Sequence, residues 1–436
     1  MVKISFLGGC REVGRSAIMI ESKTGEKCLL DYGVRFKGKN RLPKEFDTEN
    51  LKALALTHSH IDHSGGLPYL YKKSSVPLFT NPVSLAITKV LVKDMIKISD
   101  FYYPFGYREL DKLINNSHFL ENRQRRRVSD NIFITFFNAG HIPGSVSVLI
   151  EVDNKKILYT GDINTKSTNL VKATNFAISD GIPKIDALII ESTYALRDHP
   201  PREKLEKEFT ERIIEITENK GKVLIPAFGV ARSQEALLIL QKYNYHGKIF
   251  VDGLARKISN IFMDYPESLK NINFYRKAIK KVKFISGKKG RNHAKNSNGV
   301  IIAPSGMLKG GAAIDFVKSF LNDPISAIYL VGYQVEGSPG RSLLDNGFLE
   351  LNKYKNIDQT RNFKIKAKCD YDYFDFSSHA DGTQLKEYVK NLTFKNGSNN
   401  VFCVHGDSKA TTTFSSELAK NSYNSVAPET GEVYNL

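Results

Sequence analysis

His58-Ser59-His60-Ile61-Asp62-His63 places three imidazoles and a carboxylate within six residues, directly after the apolar run Leu51 to Leu56. Imidazole nitrogen beside carboxylate oxygen is a donor set suited to zinc. A helix or strand would splay neighbouring side chains apart, so the cluster calls for a loop, and Ser64-Gly65-Gly66 supplies flexibility behind it. A plain run of surface histidines is the bland alternative. It leaves the mixture of ligand types unexplained.

Outward from this stretch, apolar strands repeatedly end on a candidate ligand. Cys28-Leu29-Leu30 leads to Asp31-Tyr32-Gly33, and Phe136-Phe137-Asn138 leads to Ala139-Gly140-His141. Ile157-Leu158-Tyr159 leads to Thr160-Gly161-Asp162, and Val401 to Val404 leads to His405-Gly406-Asp407. Strand ends on one edge of a sheet converge, and α/β active sites form there. A lone strand-end Asp or His is more often a turn residue. Recurrence beside glycine argues for a shared site.

The remaining composition bounds the protein class. A length of 436 residues, 41% of them hydrophobic and 25% charged, suits two compact globular domains. No apolar run is long enough to cross a bilayer, and Met1 to Leu7 alternates like a strand instead of forming a signal peptide. A cytoplasmic protein without membrane contact is expected. Cys10, Cys28, Cys369 and Cys403 form no CxxC pair and read as buried thiols in a reducing compartment. The net charge of +17 favours capture of polyanions, although Lys-rich surfaces also occur in thermophiles. Basic residues gather at Arg123 to Arg127 and at Arg276 to Lys295.

Along the chain, Ala17 to Ile20, Lys27 to Leu30, Ile132 to Phe137, Val146 to Val152 and Ile157 to Tyr159 read as strands. Ser84 to Ile98 has helical spacing. From about Pro200, helices such as Lys204 to Glu218 and Arg232 to Tyr243 alternate with short apolar strands such as Lys222 to Pro226 and Gly299 to Ala303. That alternation implies βαβ units and a parallel sheet inserted between two parts of another domain. Gly287 to Asn298, rich in Lys and Asn, reads as an exposed loop, and Ser415 to Lys420 as a closing helix.

These residues make the chain similar to the metallo-β-lactamase superfamily and, within it, to the β-CASP nucleases. HxHxDH is His58, His60, Asp62 and His63. Later motifs match His141, Asp162 and Asp31; Glu191 in Glu191-Ser192-Thr193-Tyr194, His379 in Ser377-Ser378-His379 and His405 match the β-CASP motifs. The resemblance implies an α/β fold: an αββα sandwich over residues 1–196 and 359–436, with a parallel-sheet β-CASP domain inserted at 197–358. It further implies that His58, His60 and His141 hold one zinc ion, that Asp62, His63 and His405 hold a second, and that Asp162 bridges them. Asp31 would orient a ligand imidazole.

Histidine at position 405 resembles the RNA-directed branch, and Gly8 to Ser16 is similar to cleavage-and-polyadenylation nucleases and their archaeal relatives. Gly66-Leu67-Pro68 leans toward bacterial and archaeal members, and Ser377-Ser378 beside His379 resembles the serine-bearing phosphate pocket of the RNase J type. Ser59 departs from the usual Ala. The catalytic residues expected are His379, Glu191, Asp162 and Asp62. His379 would give its proton to the leaving oxygen and Glu191 would orient it, although a purely structural ion pair for Glu191 stays open. Ser377, Ser378, Ser305, Gly306, Arg232 and Arg341 are candidate phosphate contacts. Arg232 and Arg341 have interface ion pairs as their alternative. The function expected is a zinc ribonuclease acting on single-stranded RNA, chiefly 5′-to-3′. Homodimers and a polymerase-, exosome- or other RNA-processing assembly are partner candidates. Rival readings are a strict endonuclease, a small-molecule hydrolase of the same fold and a non-catalytic RNA-binding subunit. The inserted domain speaks against the small-molecule hydrolase, and the filled ligand positions against the non-catalytic subunit.

Overall fold

The computed structural model describes residues 1–36, 38, 40–99, 101–174, 181–351 and 363–436. The chain divides into two compact units. One comprises Met1–Ser167, Val171–Asp198 and Ser378–Leu436; the other comprises Thr168–Leu170 and His199–Ser377.

Alternation of apolar residues on both faces of its strands dictates the first unit. Two seven-stranded sheets form, one through Lys3–Gly8, Ala17–Glu21, Lys27–Leu30 and Leu51–Ala55, the other through Ile132–Asn138, Val146–Val152, Lys155–Tyr159, Ala187–Glu191 and Asn400–Val404. Ile18, Ile20, Cys28 and Leu30 from the first sheet share one core with Ile134, Phe136, Val148, Ile157, Tyr159 and Ile189 from the second. Residues of opposite parity face helices. Met19, Leu29 and Leu54 pack with Leu85, Val92 and Met95 of the helix Pro82–Ile98. Leu158, Leu188 and Ile190 pack with Leu385, Val389 and Phe414. The layers are therefore helix, sheet, sheet, helix.

The second unit holds a six-stranded sheet in the order Val282–Phe284, Ile249–Val251, Gly299–Ala303, Lys222–Pro226, Ala327–Leu330, Asp370–Tyr373, with every pairing parallel. Phe316, Val317 and Phe320 of the helix Ala313–Leu321 cover Leu224, Ile301 and Ile328.

Several elements differ from the sequence reading. Gly287–Lys295 is a helix, not a loop. Its one buried residue, Ala294, joins the core, and Arg291 is held by Asp252 and Asp315 at 2.7 Å each, so tertiary contacts outweigh poor composition. The closing helix begins at Ser408, not Ser415, because Asp407 caps it by accepting from the Ala410 amide. The histidine cluster is half loop and half helical turn, Ile61–Ser64. The boundary expected at 358/359 lies outside the described residues. Asp370–Tyr373, expected in the flanking domain, pairs with Ala327–Leu330 in the second unit.

Candidate metal centre

Parallel pairing brings the candidate side chains to one edge. Leu30 is paired with Ala55, so Asp31 and the Thr57-His58 segment emerge together. In the other sheet Tyr159 lies beside Ile189, and Glu191 lies beside Val404, which delivers Asp162, Glu191 and His405 to the matching strand ends. Asp31 and His405 adopt left-handed backbone at φ 56° and 49°, uncommon for residues other than glycine. His405 is fixed there by its amide bond to the Gly9 carbonyl at 2.7 Å and by the Ser192 amide donating to its own carbonyl at 3.1 Å. Gly33 lets the chain pass against the histidine cluster. A Cβ at that position would lie 1.7 Å from the Asp62 carbonyl oxygen.

Asp162 is the centre of the arrangement. Its Oδ2 faces His58 Nε2 at 3.5 Å and His141 Nε2 at 3.6 Å, while Oδ1 faces His63 Nε2 at 3.3 Å and His405 Nε2 at 3.5 Å. His60 presents Nδ1, 3.2 Å from both His58 Nε2 and His141 Nε2. Asp62 Oδ2 lies 3.7 Å from His405 Nε2. Two donor groups result, His58, His60, His141 and Asp162 in one and Asp62, His63 and His405 in the other, each with its donor atoms within 4.8 Å of one another.

The far side of each ring sets its tautomer. Thr57 Oγ1 donates to Asp31 Oδ2 at 2.8 Å, so toward His58 Nδ1 at 3.1 Å it accepts, which leaves the His58 Nε2 lone pair directed inward. His141 Nδ1 donates to the Ser378 carbonyl at 2.9 Å with the same consequence. His63 Nδ1 meets Asp31 at 2.7 Å, and His405 Nδ1 meets Ser16 Oγ at 3.1 Å. Asp31 also accepts from the Thr57 amide at 2.8 Å and from Tyr159 OH at 3.0 Å.

The electrostatics are those of a cation-seeking cavity. Burial, then the charge of His63, pushes His58 well below the ordinary imidazole value and keeps its lone pair available. Burial opposes charge on both His63 and Asp162. Asp162 and Asp31 nevertheless hold His63 well above its ordinary value, and His405, His63 and His58 hold Asp162 well below its own. Proton and cation thus compete for His63 Nε2. That nitrogen and Asp162 Oδ1 are buried and face each other at 3.3 Å without a well-formed hydrogen bond, so a cation between them would satisfy both. The residues fit a metal pair.

Beside this cluster His379 Nδ1 contacts both oxygens of Glu191, and its Nε2 lies 3.9 Å from Asp162 Oδ2. Tyr194 stacks on the His379 ring at 5.8 Å. Asp162, Glu191 and His379 form a third donor group of similar size.

All of these residues, with Ser378, belong to the first unit, whereas Ser377, Ser305, Gly306, Arg232 and Arg341 belong to the second. Ser305 Oγ is buried with no partner among the described residues. The Gly306 carbonyl accepts from Gln334 Nε2 at 2.9 Å. Ser377 donates its amide to Asp375 at 3.2 Å, Arg232 opens the helix Arg232–Lys242, and Arg341 pairs with Asp345 on its own helix at 2.7 Å. The sequence reading missed Ser16, Thr57, Tyr159 and Tyr194. Thr57 adjoins the histidine cluster and Tyr194 adjoins the Glu191 motif, so position alone could have flagged them. Ser16 closes the Gly8 to Ser16 stretch and Tyr159 precedes the Asp162 turn, but nothing local ties Ser16 to His405 or Tyr159 to Asp31.

Comparison with known proteins gives three family matches: the metallo-β-lactamase superfamily over residues 11–190, the Beta-Casp domain over 233–343, and the Zn-dependent metallo-hydrolase RNA specificity domain over 364–428. A probable RNase of Methanocaldococcus jannaschii (MJ4) is 34% identical over 99% of each chain. RNase aCSPSF2 of Saccharolobus solfataricus is 34% identical over 92% of this chain and 79% of its own. Transcription termination factor FttA of Methanothermobacter thermautotrophicus is 30% identical over 100% of this chain and 71% of its own. A crystal structure of a protein of unknown function from Enterococcus faecalis shares the fold, with a TM-score of 0.64 at 14% identity over 100% of both chains.

Proposed function

Because this chain belongs to the β-CASP family of metallo-β-lactamase ribonucleases, which are metal-dependent nucleases, we propose that it hydrolyses single-stranded RNA with a pair of zinc ions, chiefly from the 5′ end. The observation that carries this reading is Asp162, whose two oxygens face separate pairs of imidazoles. His58, His60 and His141 would hold one ion, Asp62, His63 and His405 would hold the other, and Asp162 would serve both. Bound metal would supply a more acidic water and would offset charge on the scissile phosphate. Asp62 and Asp162 are the carboxylates beside the reacting water, and Asp31 holds His63 in register. Glu191 accepts from His379 Nδ1, which turns Nε2 toward the scissile bond, and the Nε2 proton passes to the leaving 3′-oxygen. The products carry 5′-phosphate and 3′-hydroxyl ends.

RNA as substrate is supported by the RNA specificity match at 364–428 and by the relatives named as RNases. The 5′-to-3′ direction is supported by Ser377-Ser378 beside His379, with Ser305, Gly306, Arg232 and Arg341 as phosphate contacts in the same reading. The similarity to a transcription termination factor favours a second reading, internal cleavage of nascent RNA beside a polymerase. Circular RNA and its linear 5′-monophosphate form, incubated side by side, separate the two. The first reading expects the linear form to fall to mononucleotides while the circle persists. Rapid cutting of the circle would favour internal cleavage, and inertness toward both would remove the ribonuclease reading.

A further inference from the structure

Between Glu267 and Asp315 the chain has no acidic residue and eleven Lys or Arg. The helix Ile272–Lys280, the strand Val282–Phe284 and the helix Gly287–Lys295 display most of them. Tyr275, Ala278, Ile285 and Ala294 are buried, whereas Lys277, Lys280, Lys281, Lys283, Lys288 and Lys289 are exposed. Arg291 is neutralised by Asp252 and Asp315. Among the described residues, none of the six exposed lysines has a carboxylate partner. The strand Val282–Phe284 also ends its sheet, with Ile249–Val251 as its single neighbour.

Such a surface opposes folding. The C-terminal end of the helix Ile272–Lys280 favours Lys277, Lys280 and Lys281 singly, but six lysines without a neutralising acid repel one another. Positive charge held against that cost matches a polyanionic partner. In the stretch 272–295 Tyr275 is buried, Phe274 and Phe284 are half-buried and His293 is exposed, so lysines far outnumber exposed rings and recognition falls chiefly on phosphates. We propose that this sheet edge is an anchoring surface, separate from the catalytic residues, for the phosphate backbone of single-stranded RNA. The proposal rests on the ribonuclease reading above. The anchor is indifferent to sequence, and single-stranded DNA competes for it.

The test combines Lys277→Gln, Lys280→Gln, Lys281→Gln and Lys283→Gln in the full chain, with Lys288→Gln/Lys289→Gln as a smaller second variant. Affinity for a long unstructured RNA is measured against salt. Each lost contact lowers the log–log slope by about 0.7, so the fourfold variant loses up to about 3 while hydrolysis of an RNA of a few nucleotides is unchanged. An unaltered slope overturns the proposal. So does an equal loss on the short RNA, which would put these lysines in the catalytic machinery. Loss of binding to polyglutamate with RNA binding intact overturns it in favour of an acidic protein partner. If the unaltered protein cleaves no RNA, the ribonuclease reading fails, and the binding measurement still decides whether this edge holds RNA.

Discussion

His379 Nδ1 lies 2.9 and 3.0 Å from the two oxygens of Glu191, and Glu191 Oε1 accepts at the same time from the Ile163 amide at 2.7 Å. The carboxylate is buried and anchored to backbone, so it fixes the ring and not the reverse. His379→Ala should lower RNA cleavage by roughly 10²–10⁴-fold, the span of general acid catalysis, with zinc content unchanged. Glu191→Gln should lose part of that factor and likewise keep its metal. By contrast, His405→Ala should lose metal from one position. Zinc loss in His379→Ala, measured by elemental analysis, would assign it to the ligand set and favour the third donor group.

Asp31 touches no candidate cation position directly, yet it gathers His63 Nδ1, Thr57 Oγ1 and Tyr159 OH. Asp31→Asn should weaken zinc affinity by roughly 10–100-fold, the usual effect of losing a partner behind a ligand histidine. Competition against a chromogenic chelator measures it. Unchanged affinity would mean that ring orientation is set elsewhere.

Much of this centre was legible because it is local. Asp31, His58, His141, Asp162 and His405 each follow an apolar run that reads as a strand, and all but His58 stand within two residues of a glycine. What supports them was not legible. Ser16 lies 389 positions from His405, and Tyr159 lies 128 from Asp31, so only the packed sheets make them neighbours. The helix Gly287–Lys295 was hidden for a different reason: its composition is that of a loop, and Ala294 with Arg291 secures it through contacts remote in sequence.

Gly33 has no room for a side chain against the Asp62 carbonyl. Gly33→Ala should cost ~1–3 kcal/mol, as overpacking commonly does, and should displace Asp62 and His63. A lower denaturant midpoint together with reduced zinc content is expected. A fully loaded, equally stable variant would show that the loop tolerates the shift.

In the second unit, buried Glu235 accepts from the Asn169 and Leu170 amides at 2.9 Å each and pairs with Arg202 at 2.7 Å. Glu235→Ala leaves those donors without their acceptor. A loss of roughly 3 kcal/mol is expected, near the lower end for broken buried pairs because Arg202 keeps some exposure and Glu206. Denaturant unfolding reads it. A change within ~0.5 kcal/mol would make the contact incidental.

All four cysteines are free and buried, and burial pushes each thiol from 9.0 up to about 12. Their protonated state therefore stabilises the fold fully below pH 9, and that stability is lost as pH rises toward about 12. At pH ~8 a thiol reagent should label none of them in the native protein and all four after denaturation. Fast native labelling would show a reactive thiolate.

The zinc content of protein purified without added metal, set beside its RNA hydrolysis, tests the central claim most directly. About two ions per chain are expected, with Asp162→Asn losing metal and cleavage together, because that carboxylate faces both donor groups. A single ion per chain in fully active protein would contradict the paired-metal account.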